Sequence, residues 1–249
     1  MARVTHGKAP RVRVGTAGWS VVSDLADQFP PGGSHLERYA CRMVCTEINS
    51  SFYKPHRRST YDRWASSTPK DFLFSVKLPK AISHDHALIS CAQPLSCFFD
   101  AVAGLGEKLG VVLIQLPPKL AFDDSAFGRF FDDFREYSDV AVALEPRHAT
   151  WFTPDVEDKL QARRIARVAA DPAKAPGASV PGGWDGLVYY RWHGAPRVYY
   201  SSYEVTELEA MASNLQTYRK AARQSWFIFD NTASGAALGN ALTLSSLID

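Results

Sequence analysis

A chain of 249 residues can hold one large domain or two small ones, and a hydrophobic content of 46% excludes a disordered polymer. Twenty-eight basic against 26 acidic residues leave a formal charge of +2, too balanced for nucleic-acid binding by bulk electrostatics. No run approaches the roughly 18 apolar residues of a membrane span, and residues 1–10 lack the apolar centre of a secretory signal. Residues 1–10 therefore read as a short disordered leader on a soluble, cytoplasmic protein whose single domain covers residues 11–249. Cys41, Cys45, Cys91 and Cys97 have no zinc-site spacing and fit small buried apolar positions in a reducing compartment.

The first strand is predicted over residues 11–18, with Gly15 and Gly18 permitting close backbone approach. Trp19 and a Pro/Gly-rich loop lead to a helix from near Ser34, with Leu36, Tyr39 and Ala40 at helical spacing. The second strand ends in Cys45-Thr46-Glu47-Ile48-Asn49-Ser50-Ser51-Phe52-Tyr53. Glu47 and Asn49 lie two apart and project to one face. A carboxylate heading inward is costly unless it is paired, liganded or wet.

A short helix with Tyr61 and Trp64 precedes the third strand, residues 72–78, which carries Lys77. A loop with Ser83, His84, Asp85 and His86 leads to a helix over about residues 94–109. The fourth strand, residues 111–116, stops at Gln115-Leu116-Pro117-Pro118, because two prolines cannot continue a ladder. Asp123 and Asp124 cap a helix bearing Phe127, Phe130, Phe131 and Phe134 on one stripe. The fifth strand, residues 140–144, terminates in Glu145-Pro146-Arg147-His148, and a helix over about 153–163 follows.

The sixth strand, residues 165–170, ends at Asp171, and the Pro-, Gly- and Ala-rich stretch 172–186 predicts an irregular or missing helix. The seventh strand, residues 187–193, ends in Arg191-Trp192-His193-Gly194 before a long helix over about 204–223. The eighth, residues 226–229, ends in Asp230-Asn231 before a last helix over about 235–247. Eight alternations with no linker imply a parallel sheet closed into a TIM-type (β/α)8 barrel. An open doubly wound sheet is the alternative, although the first loop lacks the G-x-G-x-x-G pattern of a dinucleotide site.

Several strand-end segments, taken in order, resemble the YecE-like family, known as domain of unknown function 72. They are Gly15-Thr16-Ala17-Gly18-Trp19, Glu47 to Tyr53, Trp64 with Pro69-Lys70-Asp71-Phe72 and Lys77, and Gln115-Leu116-Pro117-Pro118. The series continues with Glu145-Pro146-Arg147-His148 and Trp151, Arg191-Trp192-His193-Gly194, and Phe229-Asp230-Asn231-Thr232. The resemblance runs from about residue 12 to the C-terminus and implies a TIM-type barrel over the whole chain, but no activity. Pro146 stands where an aromatic is usual and Trp192 where Phe is common.

In such a barrel the strand ends share one face, where loops build the active site. The inward candidates there are Thr16, Glu47, Asn49, Lys77, Gln115, Glu145, Arg147, Asp171, Arg191, His193 and Asp230. One reading is an enzyme acting on a small anionic or sugar-like substrate by general acid/base chemistry. Glu47, Glu145, His193 and Asp230 are its catalytic candidates. Asn49, Tyr53, Lys77, Gln115, Arg147, Arg191 and Asn231 are its binding candidates. A self-paired structural network is the competing reading of the same ring.

Lys77 fits an anion anchor or an ion-pair partner, and a Schiff-base role requires a desolvated amine. A metal-dependent hydrolase or isomerase would draw ligands from Glu47, Glu145, Asp171, His193 or Asp230, against repulsion from Lys77, Arg147 and Arg191. No cofactor is required by the sequence, and a divalent metal is left open. A non-catalytic barrel binding nucleic acid or a protein partner is the third reading. His84-Asp85-His86 reads as solvated loop, and Trp19, Tyr53, Trp64 and Trp151 as packing or pocket walls.

Overall fold

The computed structural model of the chain describes residues 12–220 and 224–248. The expected leader and the final residues of the long helix lie outside them. The strands are β1 (Val12–Thr16), β2 (Cys45–Ile48), β3 (Leu73–Lys77), β4 (Leu109–Gln115), β5 (Ala141–Glu145), β6 (Ile165–Arg167), β7 (Ala169–Asp171), β8 (Gly182–Gly183), β9 (Leu187–Trp192) and β10 (Gln224–Phe229). The helices are α1 (His35–Ala40), α2 (Arg58–Ser66), α3 (Ala92–Val102), α4 (Asp124–Tyr137), α5 (Pro154–Ala162), α6 (Val205–Lys220) and α7 (Ala236–Ile248).

Local chemistry sets the helix starts. Ser34 and Glu37 form a reciprocal capping box at α1. Asp123 accepts from the Ala126 N–H at 2.7 Å to start α4. Thr153 caps α5, with Pro154 at its first turn, where a missing N–H costs nothing. On α4 the stripe Phe127, Phe130, Phe131 and Phe134 is buried, as its spacing predicts. Among the described residues no helix is long and apolar enough to cross a membrane. Cys45 and Cys91 are buried as expected, whereas Cys41 and Cys97 are exposed.

The protein is mixed α/β, and the strand pairing differs from the expected single closed ring. The ladders divide into a four-stranded sheet, β1-β10-β9-β7, and a six-stranded sheet, β2-β3-β4-β5-β6-β8. All pairs are parallel except the short β6–β8 contact. The sixth predicted strand is broken at Val168, so its first half pairs with β5 and its second half with β9. At the other seam one isolated bridge joins Ala17 to Glu47, beside a Gly18 N–H to Glu47 carbonyl bond of 2.8 Å. The two sheets are therefore not closed into one continuous hydrogen-bonded barrel. Residues 172–186 contain no helix, only β8 and turns.

Alternation along each strand sorts the core into two layers. Inward positions Cys45, Val111, Leu113, Ala143, Ala166, Val168, Leu187, Tyr189, Trp226 and Ile228 pack together, drawing on both sheets. The opposite faces pack against the helices in a larger cluster that includes the α4 phenylalanines. The inner layer is apolar along most of its depth and becomes polar where the strands end.

Gly15 is the point of closest approach at the β1–β2 seam. A Cβ there would run into the Cys45 carbonyl oxygen and lie 2.9 Å from its Sγ. Gly15→Ala should therefore cost about 1–3 kcal/mol in equilibrium urea unfolding, the usual range for overpacking a filled interior. An unchanged midpoint would show that the seam yields.

Candidate functional site

The two-residue period on β9 sends Tyr189, Arg191 and, just past the strand, His193 toward the interior. The same period brings in Glu47 from β2, Ser75 and Lys77 from β3, Gln115 from β4, Glu145 and Arg147 from β5, and Asp230 after β10. Arg191 is buried at the centre of this group. Its Nε lies 3.1 Å from both Glu47 oxygens. Nη2 lies 2.9 Å from Glu47 Oε1 and 2.9 Å from Asp230 Oδ2, and Nη1 is 3.2 Å from Glu145 Oε2. The Tyr189 hydroxyl donates to Glu47 Oε2 at 3.0 Å and lies 2.9 Å from Ser75 Oγ.

His193 stands between two carboxylates, with Nδ1 2.9 Å from Asp230 Oδ2 and Nε2 3.3 Å from Glu145 Oε1. Ionised carboxylates only accept, so both ring nitrogens must carry protons to satisfy both contacts. Burial opposes that charge, and Arg191 adds to the opposition. The charge of Glu145 and the hydrogen bonds His193 donates to Asp230 and Glu145 outweigh them and raise the His193 pKa. Burial likewise works against the Glu145 carboxylate, but His193, Arg191 and Arg147 hold its pKa well below the usual range. Glu145 Oε1 also accepts from Gln115 Nε2 at 2.8 Å and from Arg147 Nη2 at 3.0 Å. His193 is thus the proton donor of the pair, and Glu145 is a weak base.

Lys77 is placed differently. Its side chain is buried, at 4% exposure, and its Nζ sits 4.1 Å over the Phe52 ring. Among the described residues its Nζ makes no hydrogen bond and no ion pair within 4.0 Å. Burial lowers its pKa to about 8, with help from Arg191 and against the pull of Glu47, Glu145 and Asp230.

Eight of the predicted site residues are brought together: Glu47, Lys77, Gln115, Glu145, Arg147, Arg191, His193 and Asp230. Asn49 sits at the margin, its Nδ2 3.5 Å from Asp230 Oδ1 and its buried Oδ1 without a partner among the described residues. Tyr53 is not brought in. Its side chain is 78% exposed, because the chain turns through a 3-10 segment after β2 and carries it outward. Asn231 turns away as well, donating to the Ser201 carbonyl and to Asn240 Oδ1, both at 2.9 Å, to fasten a loop to α7. The sequence suggests an anion clamp in Arg191, but each of its three nitrogens already faces a carboxylate. Asp171 lies on the outward face and accepts from Tyr203 Oη at 2.7 Å, away from the cluster.

Two further residues take part that were not among the predicted site residues, and one of them, His84, is not the solvated loop residue expected from the sequence. Phe52 forms the wall under Lys77, and the half-buried His84 packs edge-on against Phe52 with ring centroids 5.0 Å apart. Burial, then the charges of Lys77, Arg147 and Lys80, lower the His84 pKa, so the imidazole is neutral. His84 lies in a π-helical turn, Ala81–Asp85, directly after β3. Its place just beyond a strand end was the available signal, since loops there build sites in parallel α/β folds. Trp151 is buried packing, with its indole N–H on the Leu120 carbonyl at 2.8 Å. Trp19 and Trp64 meet edge-on at 5.0 Å and line a separate cavity of about 420 Å³ with His35 and Arg63. Among the described residues no group of three or more His, Cys, Asp or Glu side chains is arranged to hold a metal ion.

The fold and this geometry define a parallel α/β protein with a buried charge cluster at its strand ends. Residues 13–249 match the family model described as protein of unknown function DUF72, and the chain belongs to that family. It is 29% identical over 146 residues to UPF0759 protein YecE of Escherichia coli K12, a match covering 56% of this chain and 53% of that one. The aligned stretch thus spans about half the length of that relative. Against UPF0759 protein YunF of Bacillus subtilis it is 22% identical over 96% of this chain and 95% of the other. The crystal structure of a DUF72 family protein from Enterococcus faecalis superposes with a TM-score of 0.79 at 21% identity, covering 96% of this chain and 95% of that one. One from Thermotoga maritima gives 0.79 at 22% identity, covering 95% and 98%. At these identities the structures share the fold alone.

Two substitutions separate the roles of the central cations. Arg191→Met removes the partner of three buried carboxylates and should destabilise by about 3–5 kcal/mol. Lys77→Met should instead stabilise by about 1–3 kcal/mol at pH 7, since an unpaired buried ammonium is removed. Lys77 has a folded pKa of about 8, below its unfolded value. The unfolded chain therefore binds more protons between about pH 8 and 10.5, and parent stability rises with pH across that window. The advantage of the variant should shrink over the same range in urea titrations. A destabilised Lys77→Met protein at pH 7 would show that the ammonium is needed to balance the carboxylates.

Proposed function

We propose that this protein is an enzyme acting on a small anionic substrate by general acid/base catalysis at the strand-end mouth, with its two sheets working together as a TIM-type barrel. One observation carries the reading: Lys77 is buried beside the cluster without an ion pair among the described residues. The buried carboxylates, Glu47, Glu145 and Asp230, are already engaged by Arg191, Arg147 and His193. Three negative groups against Lys77, Arg147, Arg191 and protonated His193 leave one positive charge in excess. A site with uncompensated positive charge and restricted access to water attracts an anion.

The roles follow from what each group has left to offer. Arg147 is half-buried and gives Nε and Nη2 to Glu145, which leaves Nη1 for a phosphate or carboxylate oxygen. Lys77 supplies a second positive contact, and the open Oδ1 of Asn49 accepts from a substrate hydroxyl. His193, protonated between Asp230 and Glu145, is held less closely at Nε2, 3.3 Å from Glu145, and delivers that proton to the reacting group. Arg191, Glu47, Tyr189 and Ser75 form the rigid support beneath, which limits the reorganisation needed during reaction.

Inorganic phosphate should raise the melting temperature of the parent protein, and Lys77→Ala or Arg147→Ala should each weaken its apparent affinity at least about tenfold. Binding should fade as pH rises above about 8, where Lys77 loses its proton. Phosphate, sulfate and small carboxylates that all leave the melting temperature unmoved, or variants that bind as the parent does, would overturn the reading.

A further inference from the structure

We propose that Lys77 is a nucleophile whose ε-amine condenses with the carbonyl carbon of its substrate, so that the substrate is a small aldehyde or ketone carrying an anionic group. This rests on the anion-binding reading of the same site and names the substrate class more closely.

The placement of the amine is the first support. A lysine serving only as a structural ion-pair partner would hold a carboxylate, yet three carboxylates stand in the cluster and Lys77 holds none of them. Glu47 and Asp230 are spent on Arg191, and Glu145 is shared among Arg191, Arg147 and His193. The side chain is 4% exposed, and burial outweighs the Phe52 ring face 4.1 Å from Nζ, a contact that by itself favours the ammonium. Desolvation is the environment in which a lysine becomes a free amine near neutral pH. With its pKa lowered to about 8, about a tenth of the side chain is unprotonated at pH 7.

The groups around it complete the chemistry. Lys77 and His84 meet the same Phe52 ring, and the charge of Arg147 reaches His84 as that of Lys77 does. His84 is neutral and packs on Phe52, the ring that Lys77 Nζ faces, so it adds no positive charge there. His193, protonated between Glu145 and Asp230, is the acid of the cluster.

The step balances without an oxidant or reductant. The Nζ lone pair adds to the carbonyl carbon, forming C–N as the C=O π pair moves onto oxygen. A proton passes from nitrogen to that oxygen to give the neutral carbinolamine. The His193 imidazolium then protonates the hydroxyl, C–O breaks, and water leaves as the nitrogen lone pair closes the iminium. His193 is left neutral, and the iminium carries the charge beside Glu47, Glu145 and Asp230, whose charges favour a cation at Nζ. An iminium at that position would withdraw electrons from the adjacent carbon, the usual purpose of such adducts.

The test uses the intact protein with glyoxylate, a small anionic aldehyde, and sodium cyanoborohydride at pH 7.5, followed by peptide mass spectrometry. Lys77 should gain a carboxymethyl group at least tenfold faster than the exposed Lys119 and Lys174, although it is buried. Inorganic phosphate should slow that labelling. Lys77→Arg should lose the fast adduct. Labelling of Lys77 no faster than that of Lys119 and Lys174 overturns the proposal. Phosphate stabilisation measured on the same sample reports separately on anion binding. A protein that phosphate stabilises but glyoxylate does not label at Lys77 overturns the nucleophile and leaves the anion site standing.

Discussion

Arg191 is the constraint on which the rest of the interior depends. A fully buried guanidinium costs several kcal/mol in lost hydration, and only close, well-directed carboxylates offset that cost. Three converge on it: Glu47 from β2 and Glu145 from β5 in the six-stranded sheet, and Asp230 from the end of β10 in the four-stranded sheet. The backbone ladders are interrupted at both seams, so this side-chain network crosses the interior where main-chain pairing does not run continuously. One cation thereby fixes the relative position of six other groups, since Glu145 and Asp230 in turn orient His193, and Glu47 holds Tyr189, which meets Ser75.

Lys77 is the consequence. Once Arg191, Arg147 and His193 have taken the carboxylates, the remaining cation is left desolvated against Phe52. A protein selected for stability alone gains nothing from such a group, because an apolar side chain of the same volume avoids the cost of burying charge. Keeping it is the pattern of a site where local destabilisation is tolerated for function. The Oδ1 of Asn49 is also buried without a partner among the described residues, as are Asn231 Oδ1, Ser225 Oγ and Trp226 Nε1 elsewhere in the interior. On the proposed reading, Lys77 and the Asn49 Oδ1 are the part of the ring open to a ligand, and the saturated Arg191 is its support.

The lowered Lys77 pKa and the raised His193 pKa share this origin. Burial opposes charge on both. His193 overcomes it through direct hydrogen bonds to two carboxylates, while the carboxylates near Lys77 act only at longer range. A difference in hydrogen bonding therefore sends two basic groups in one cluster in opposite directions, toward an acid and toward an amine.

Much of this was legible in the sequence. The alternation of strand and helix, the proline stop after Gln115, the phenylalanine stripe of α4 and the missing helix after Asp171 are local signals, and local signals follow from backbone geometry. Spacing of two also placed Glu145 with Arg147 and Arg191 with His193 on one face. What the sequence could not determine was partnership. The Arg191–Glu47 pair joins residues 144 positions apart, and packing alone decides that Arg191 is saturated while Lys77 is left alone. The same holds for the break at Val168, for Tyr53 turning to solvent and Asn231 to Asn240, and for His84 folding back on Phe52. Period and propensity fix which face a side chain leaves the backbone from. Only the tertiary structure decides what it meets there, because that depends on strands distant in sequence competing for the same buried charges.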